Sequence, residues 1–287
     1  MTRTTPRPAS ENRLGGLGAW PRVAAGITAA VVLAVVLVVV LRDGDDDPAA
    51  GARGAGAEME HVHGVGVDQD GVLYAGSHYG LFRINEDGTA ARVSEVQDFM
   101  GFTSAGAKGF LASGHPGESQ VGPPSVGLIQ STDGGRSWTG LSLSGEADFH
   151  AMTADDDGVI GYDASNSLLR VSPDGQDWED REIATGFYDL AADPTSERVF
   201  GTTSEGVLVV SEDGGRSFDA VPDAPALLLV EVFEDGTLLG VAPDGALLLG
   251  DRDGTWESAG ARAGEGLQAL AVGPDDTVWL LDDVGLQ

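Results

Sequence analysis

The chain has 287 residues, no cysteine, 46 acidic against 16 basic residues and a formal net charge of −30. These numbers exclude a disulfide framework, a thiolate metal site and a cysteine nucleophile. A surface this acidic repels nucleic acid and anionic lipid headgroups.

Residues 1–22 carry Arg3, Arg7, Arg13 and Arg22 against Glu11 and read as a basic cytoplasmic tail. Residues 23–41 (VAAGITAAVVLAVVLVVVL) are uncharged and apolar. As a helix they reach about 28 Å, close to the thickness of a bilayer core. Asp43, Asp45, Asp46 and Asp47 follow. Arginines before the run and aspartates after it predict a single-pass anchor, with the N-terminus in the cytoplasm and the bulk outside the cell membrane. A cleaved signal peptide is the alternative and would release a secreted protein. Residues 42–57, rich in Asp, Gly and Ala, predict a flexible linker. Residues 58–287 remain as one folded domain. Of the chain's 43 glycines, many stand in DG and GG pairs and predict a turn-dense β protein.

That domain repeats. STDGGRSW (Ser131 to Trp138), SPDGQDW (Ser172 to Trp178) and SEDGGRSF (Ser211 to Phe218) align, with weaker relatives NEDGTA and DRDGTW. Their central aspartates are Asp87, Asp133, Asp174, Asp213 and Asp253, spaced by 46, 41, 39 and 40 residues. Asp and Ser side chains bond nearby amides and hold tight turns, glycine permits positive φ, and the final Trp or Phe buries a ring. Each unit reads as four strands, as in HVHGVGV, VLYAGS, GLFRI and ARVS. Later units begin near Phe99, Phe149, Phe187, Leu228 and Leu267, and the last has three strands at most. A segment before His61 is expected to supply a closing strand.

The segments resemble the Asp-box, or BNR, repeat of sialidase-like β-propellers. Ser131, Asp133, Gly135, Ser137 and Trp138 match it, as do Ser211, Asp213, Gly215, Ser217 and Phe218. The copy with Ser172, Asp174 and Trp178 is one residue short and has Gln176 where a glycine is expected. The resemblance implies an all-β propeller of about six four-stranded blades over roughly residues 61–287. HVHGVGVD, SHYGLF, ASGHPG and GEADFHAM also resemble a secreted bacterial group labelled glycosyl-hydrolase-like. The boxes are read as structural.

Strand direction places the chemistry. The start of each first strand and the end of each second share one end of the blade, opposite the boxes. His61, His63, His78, His115 and His150 all fall there, with Asp98, Glu146, Asp148 and Tyr188 nearby. His61 and His63 are two apart, so alternation points them to one side. Met59, Met100 and Met152 share this edge, Met152 in phase with His150. Imidazoles with carboxylates or thioethers are transition-metal ligands, so copper, zinc, manganese and iron are the candidate cofactors, with His61, His63, His78, His115, His150 and Asp148 as candidate ligands. Sialidase chemistry needs an arginine cluster. The openings HVHG, DFMG, DFHA, FYDL, LVEV and LQAL contain no arginine. Two readings stay open: a membrane-anchored binding or scaffold module for an unidentified protein or small molecule, and a metal-assisted hydrolase using the same end.

Overall fold

A computed structural model describes residues 59, 61–85, 88–155, 158–251 and 254–282, and the backbone of 285 and 286. All belong to the compact unit Val35–Gln287. The expected tail, anchor, linker and closing strand, together with Asp87 and Asp253, lie outside the described residues. No helix among those described is long and apolar enough to cross a membrane.

The described residues form 23 strands in six antiparallel sheets. Blade one pairs β1 (Val62–Val67), β2 (Leu73–Ser77), β3 (Gly80–Ile84) and β4 (Ala90–Arg92) in chain order. Blade two contains β5 (Asp98–Ser104), β6 (Phe110–His115), β7 (Leu128–Ser131) and β8 (Thr139–Ser142). Blade three contains β9 (Phe149–Ala154), β10 (Val159–Asp163), β11 (Leu168–Ser172) and β12 (Glu179–Glu182). Blade four contains β13 (Phe187–Ala192), β14 (Val199–Thr203), β15 (Leu208–Ser211) and β16 (Asp219–Ala220). Blade five contains β17 (Leu229–Val232), β18 (Leu238–Val241), β19 (Ala246–Gly250) and β20 (Trp256–Arg262). The last sheet has only β21 (Ala269–Val272), β22 (Val278–Asp282) and β23 (Gly285–Leu286).

The fold is an all-β propeller. The expectation of about six four-stranded blades is corrected to five, because the final sheet has three strands among the described residues. The innermost strands β1, β5, β9, β13, β17 and β21 touch in that order, and β21 touches β1, closing the ring. Gln268 Oε1 accepts the Val62 amide at 2.6 Å across this seam.

Hydrophobicity falls outward along each blade. Second strands such as LYAGS and VFGTT are wholly buried, because adjacent blades cover both their faces. Outer strands such as EDRE are mostly exposed.

The turns before β8, β12 and β16 share one hydrogen-bond plan. Ser131 Oγ donates to Asp133 Oδ1 at 2.9 Å and accepts from the Gly135 amide at 2.9 Å. Asp133 in turn accepts from the Ser137 amide and hydroxyl. Ser211, Asp213, Gly215 and Ser217 repeat these contacts. In the shorter copy Gly175, not Gln176, supplies the amide to Ser172 Oγ at 2.8 Å. Serine hydrogen bonds hold Asp133 and Asp213 down to about 2, those from Ser137 leading for Asp133 and that from Ser211 for Asp213.

The glycine of each turn has positive φ and meets the preceding blade. A Cβ on Gly135 would lie 2.1 Å from Leu81, and one on Gly215 2.8 Å from Ile160. Gly175 abuts Leu128 in the same way. The turns therefore also form the seams between blades. Ser211→Ala would orphan the buried Gly215 amide, and urea unfolding is expected to show a loss of about 1–3 kcal/mol.

Candidate functional site at the channel mouth

The hydrogen-bond ladder slips at the same place in four successive inner strands. His63, Met100, His150 and Tyr188 are each the extra residue of a β-bulge, left out of the pairing with the second strand. Bulges re-aim side chains and increase local twist. The phenylalanine before three of these residues is gripped by its own blade's turn aromatic. Phe99 meets Trp138 at 5.0 Å between ring centroids, Phe149 meets Trp178 at 5.2 Å, and Phe187 meets Phe218 at 5.0 Å.

The bulges correct the expectation of simple alternation. His61 lies outside β1 with φ of 53°, and His63 is a bulge residue. His150 is exposed, whereas Met152 is buried in the core between blades two and three. Met59 packs against the core of blade one and the last sheet. Neither methionine joins the histidines.

The five histidines fall into two linked groups. In the first, His78 sits in the tight turn between β2 and β3, where Ser77 Oγ accepts from the Tyr79 amide. Its Nδ1 donates to Asp98 Oδ1 at 2.6 Å, and its Nε2 meets His63 Nε2 at 3.2 Å. One proton must lie between those two nitrogens. The His61 ring stands 5.5 Å from that of His78. Burial first, and then the neighbouring His78, push His63 down to about 4, so it is a neutral imidazole near neutrality.

In the second group, Asp148 stands between two imidazoles. Its Oδ2 accepts from His150 Nε2 at 3.0 Å and faces His115 Nε2 at 3.6 Å. The Asp148 side chain is only 6% exposed, and its Oδ1 has no hydrogen-bond partner. Burial alone would raise its pKa. The His150 hydrogen bond and the charges of His150, His115 and His63 outweigh burial and lower it. His115 Nδ1 donates to Pro124 O at 2.7 Å, from the long 116–127 loop. The carbonyl can only accept, so Nδ1 carries a proton and Nε2 directs its other valence at the carboxylate. Among the described residues no three His, Asp or Glu side chains stand in metal-holding geometry in this arrangement.

Below the histidines, the inner strands line a cavity of about 590 Å³. His63, His150, Tyr188, Asp189, Glu231 and Gln268 are on its wall. Asp189 and Glu231 were missed by the sequence reading. They sit in the openings FYDL and LVEV, and the signal was a carboxylate at the third position of each. Asp189 accepts from the Leu190 amide at 3.0 Å and the Val230 amide at 2.9 Å, joining blades four and five. Burial pushes Asp189 up to about 7 despite these bonds. Burial and then Asp189 push Glu231 well above the usual range.

No family model and no curated protein matches this chain. Solved structures do. A gluconolactonase from Xanthomonas campestris aligns over 79% of this chain and 84% of its own, with a TM-score of 0.61 and 12% identity. YCF48, solved bound to a D1 peptide, aligns over 78% of this chain and 76% of its own, with a TM-score of 0.50 and 18% identity. What they share with this chain is the propeller. At such identities the likeness is of fold, and the site must be argued from its own residues.

Proposed function

We propose that the chain is a membrane-anchored, extracytoplasmic Asp-box propeller that acts as a binding module, and that its histidine end takes up a divalent transition-metal ion on Asp148, His115 and His150. The order of basic, apolar and acidic segments over residues 1–47 supports the anchor. The shared Ser–Asp turn geometry supports the Asp-box kinship.

The observation that carries the metal reading is Asp148. It is buried, one oxygen lacks a partner, and the other faces two imidazole nitrogens. With Nδ1 of His115 committed to Pro124, its Nε2 lone pair would face a carboxylate unless a cation lies between them. A proton or a metal ion satisfies that geometry. An imidazole whose other nitrogen donates to a carbonyl is oriented as metal-ligating histidines are. Both rings are more than a third exposed, so small rotations can bring them onto one ion. Two imidazoles and a carboxylate suit zinc, manganese, iron or copper.

A hydrolase is the second reading, favoured by the cavity beneath the site and by the activity of one protein of similar fold. An ion held by three side chains keeps a position for water, whose proton it would make easier to lose. His63, neutral and 3.2 Å from His78, is placed to move a proton along the chain to Asp98.

Elemental analysis of the full chain in mild detergent, after incubation with zinc and removal of excess, is expected to give about one ion per chain. The His115→Ala/His150→Ala variant, folded by circular dichroism, is expected to give none. A chain that retains no zinc, copper, manganese or iron overturns the reading. Ester or lactone turnover lost in His150→Ala would favour the hydrolase.

A further inference from the structure

Two connections of every complete blade emerge at the histidine end: the turn from second to third strand, and the link to the next blade. The described ones are residues 78–79, 93–97, 116–127, 143–148, 164–167, 183–186, 204–207, 221–228, 242–245 and 263–268. None contains a lysine or an arginine, and the arginines that border them are Arg92 and Arg262, the last residues of β4 and β20, of which Arg262 pairs with Asp244 at 3.1 Å. Glu95, Glu118, Glu146, Glu205, Asp223 and Glu265 are exposed there. The opposite end is mixed, with Lys108, Arg136, Arg198 and Arg216 in its turns.

Apolar exposure follows the same division. The large hydrophobic residues exposed among those described are Tyr79, Val96, Val121, Tyr188 and Val207. Four lie in these connections, and Tyr188 is the bulge residue at the same end of β13. None lies at the end with the Ser–Asp turns. Single exposed hydrophobics are ordinary, but confinement of all of them to one end is the mark of a contact surface.

We infer that this end is the docking surface for a cationic polypeptide segment, one carrying Lys or Arg beside apolar side chains. Charge complementarity selects the partner. Carboxylates that outnumber the two arginines beside them, Arg92 and Arg262, attract a basic chain and raise its association rate. They repel anionic lipid headgroups, and they repel the same face of a second copy. The apolar residues come from blades one, two and four and from the link between the first two. Their spread over three blades suits an extended chain, which can touch several of them, better than a small cation. The inference rests on the reading of the chain as a binding module, not on the bound ion.

The test uses the full chain in detergent micelles, with chelator present and metal content measured separately. The probe is a 15-residue Lys/Leu/Tyr peptide bearing a photo-crosslinker, with a Lys/Ser peptide of equal charge beside it. Crosslinks are expected in residues 78–79, 93–97, 116–127 and 204–207. The Tyr79→Ser/Val121→Ser/Tyr188→Ser variant is expected to bind the apolar peptide about tenfold more weakly. Glu95→Lys/Glu205→Lys should weaken both peptides and flatten their salt dependence, whereas Glu212→Lys at the other end should change neither by more than about twofold. Crosslinks spread over both ends, equal binding of the two peptides, or an unchanged affinity in the triple variant would overturn the proposal. So would preferential binding of the chain to anionic vesicles. Failure here with zinc still bound leaves the metal reading intact, and the reverse result leaves the docking surface intact.

Discussion

Phe149→Ala is expected to cost about 3–5 kcal/mol of stability and to weaken zinc binding at the same time. Phe149 is fully buried, and its ring stacks on Trp178. The glycine opposite is shaped for it, since a Cβ on Gly161 would lie 2.5 Å from the Phe149 ring. Removing the ring leaves a cavity that the surrounding strands cannot close without moving. The next residue is His150, held out of the ladder by the bulge, and the preceding one is Asp148. Loosening Phe149 therefore loosens both proposed ligands. Urea unfolding and zinc titration on one preparation check the pair of effects. A Phe149→Leu variant separates them, because it should recover most of the stability and show whether affinity follows ring shape. Zinc affinity unchanged in folded Phe149→Ala would show that the buried ring does not position the site.

Stability is expected to fall as pH rises from the ordinary carboxyl range through neutrality, and Glu231→Gln is expected to suppress much of that fall. Asp189 is raised to about 7 and Glu231 well above its ordinary value, so the folded chain holds protons that the unfolded chain has released. The stability tied to those protons is fully present below the ordinary carboxyl pKa values, about 3.8 and 4.5. It is lost as pH rises to and beyond about 7. For Asp189 the size is on the order of a few kcal/mol. Glutamine stays neutral, so the variant should melt increasingly above the parent as pH rises past 4.5, while below 3.8 the two should be close. Parallel melting profiles in parent and variant would show that the pair ionises freely. His63 acts in the opposite direction. Its folded value is lowered to about 4, so stability is lost as pH falls from its ordinary 6.5 towards 4.

The architecture was legible because its signals are local. A Ser–Asp–Gly turn followed by a ring recurs at nearly constant spacing, and each element makes its hydrogen bonds within a few residues. The blade count was less legible, because the short β23 has no motif of its own. Placing the histidines at one end needed only strand direction, and their grouping needed more. His78 reaches Asp98 in the next blade, and Asp148 meets His115 of the preceding one. These contacts depend on how adjacent blades abut. The bulges defeated alternation at His63 and His150, and so moved Met152 from the expected mouth into the core. Asp189 and Glu231 carry no motif. Their character comes from enclosure by six inner strands, which no local window records.

The four bulges bear on how such a mouth could change over time. A residue left out of the ladder pairs with nothing in the second strand, so its identity is only weakly tied to the sheet. Histidine, methionine, histidine and tyrosine occupy these places in successive blades, while gripped phenylalanines precede three of them. The scaffold thus offers four exchangeable sockets around one opening. A new specificity would need substitutions at positions 63, 100, 150 and 188, with the ladder hydrogen bonds of the sheets left as they are.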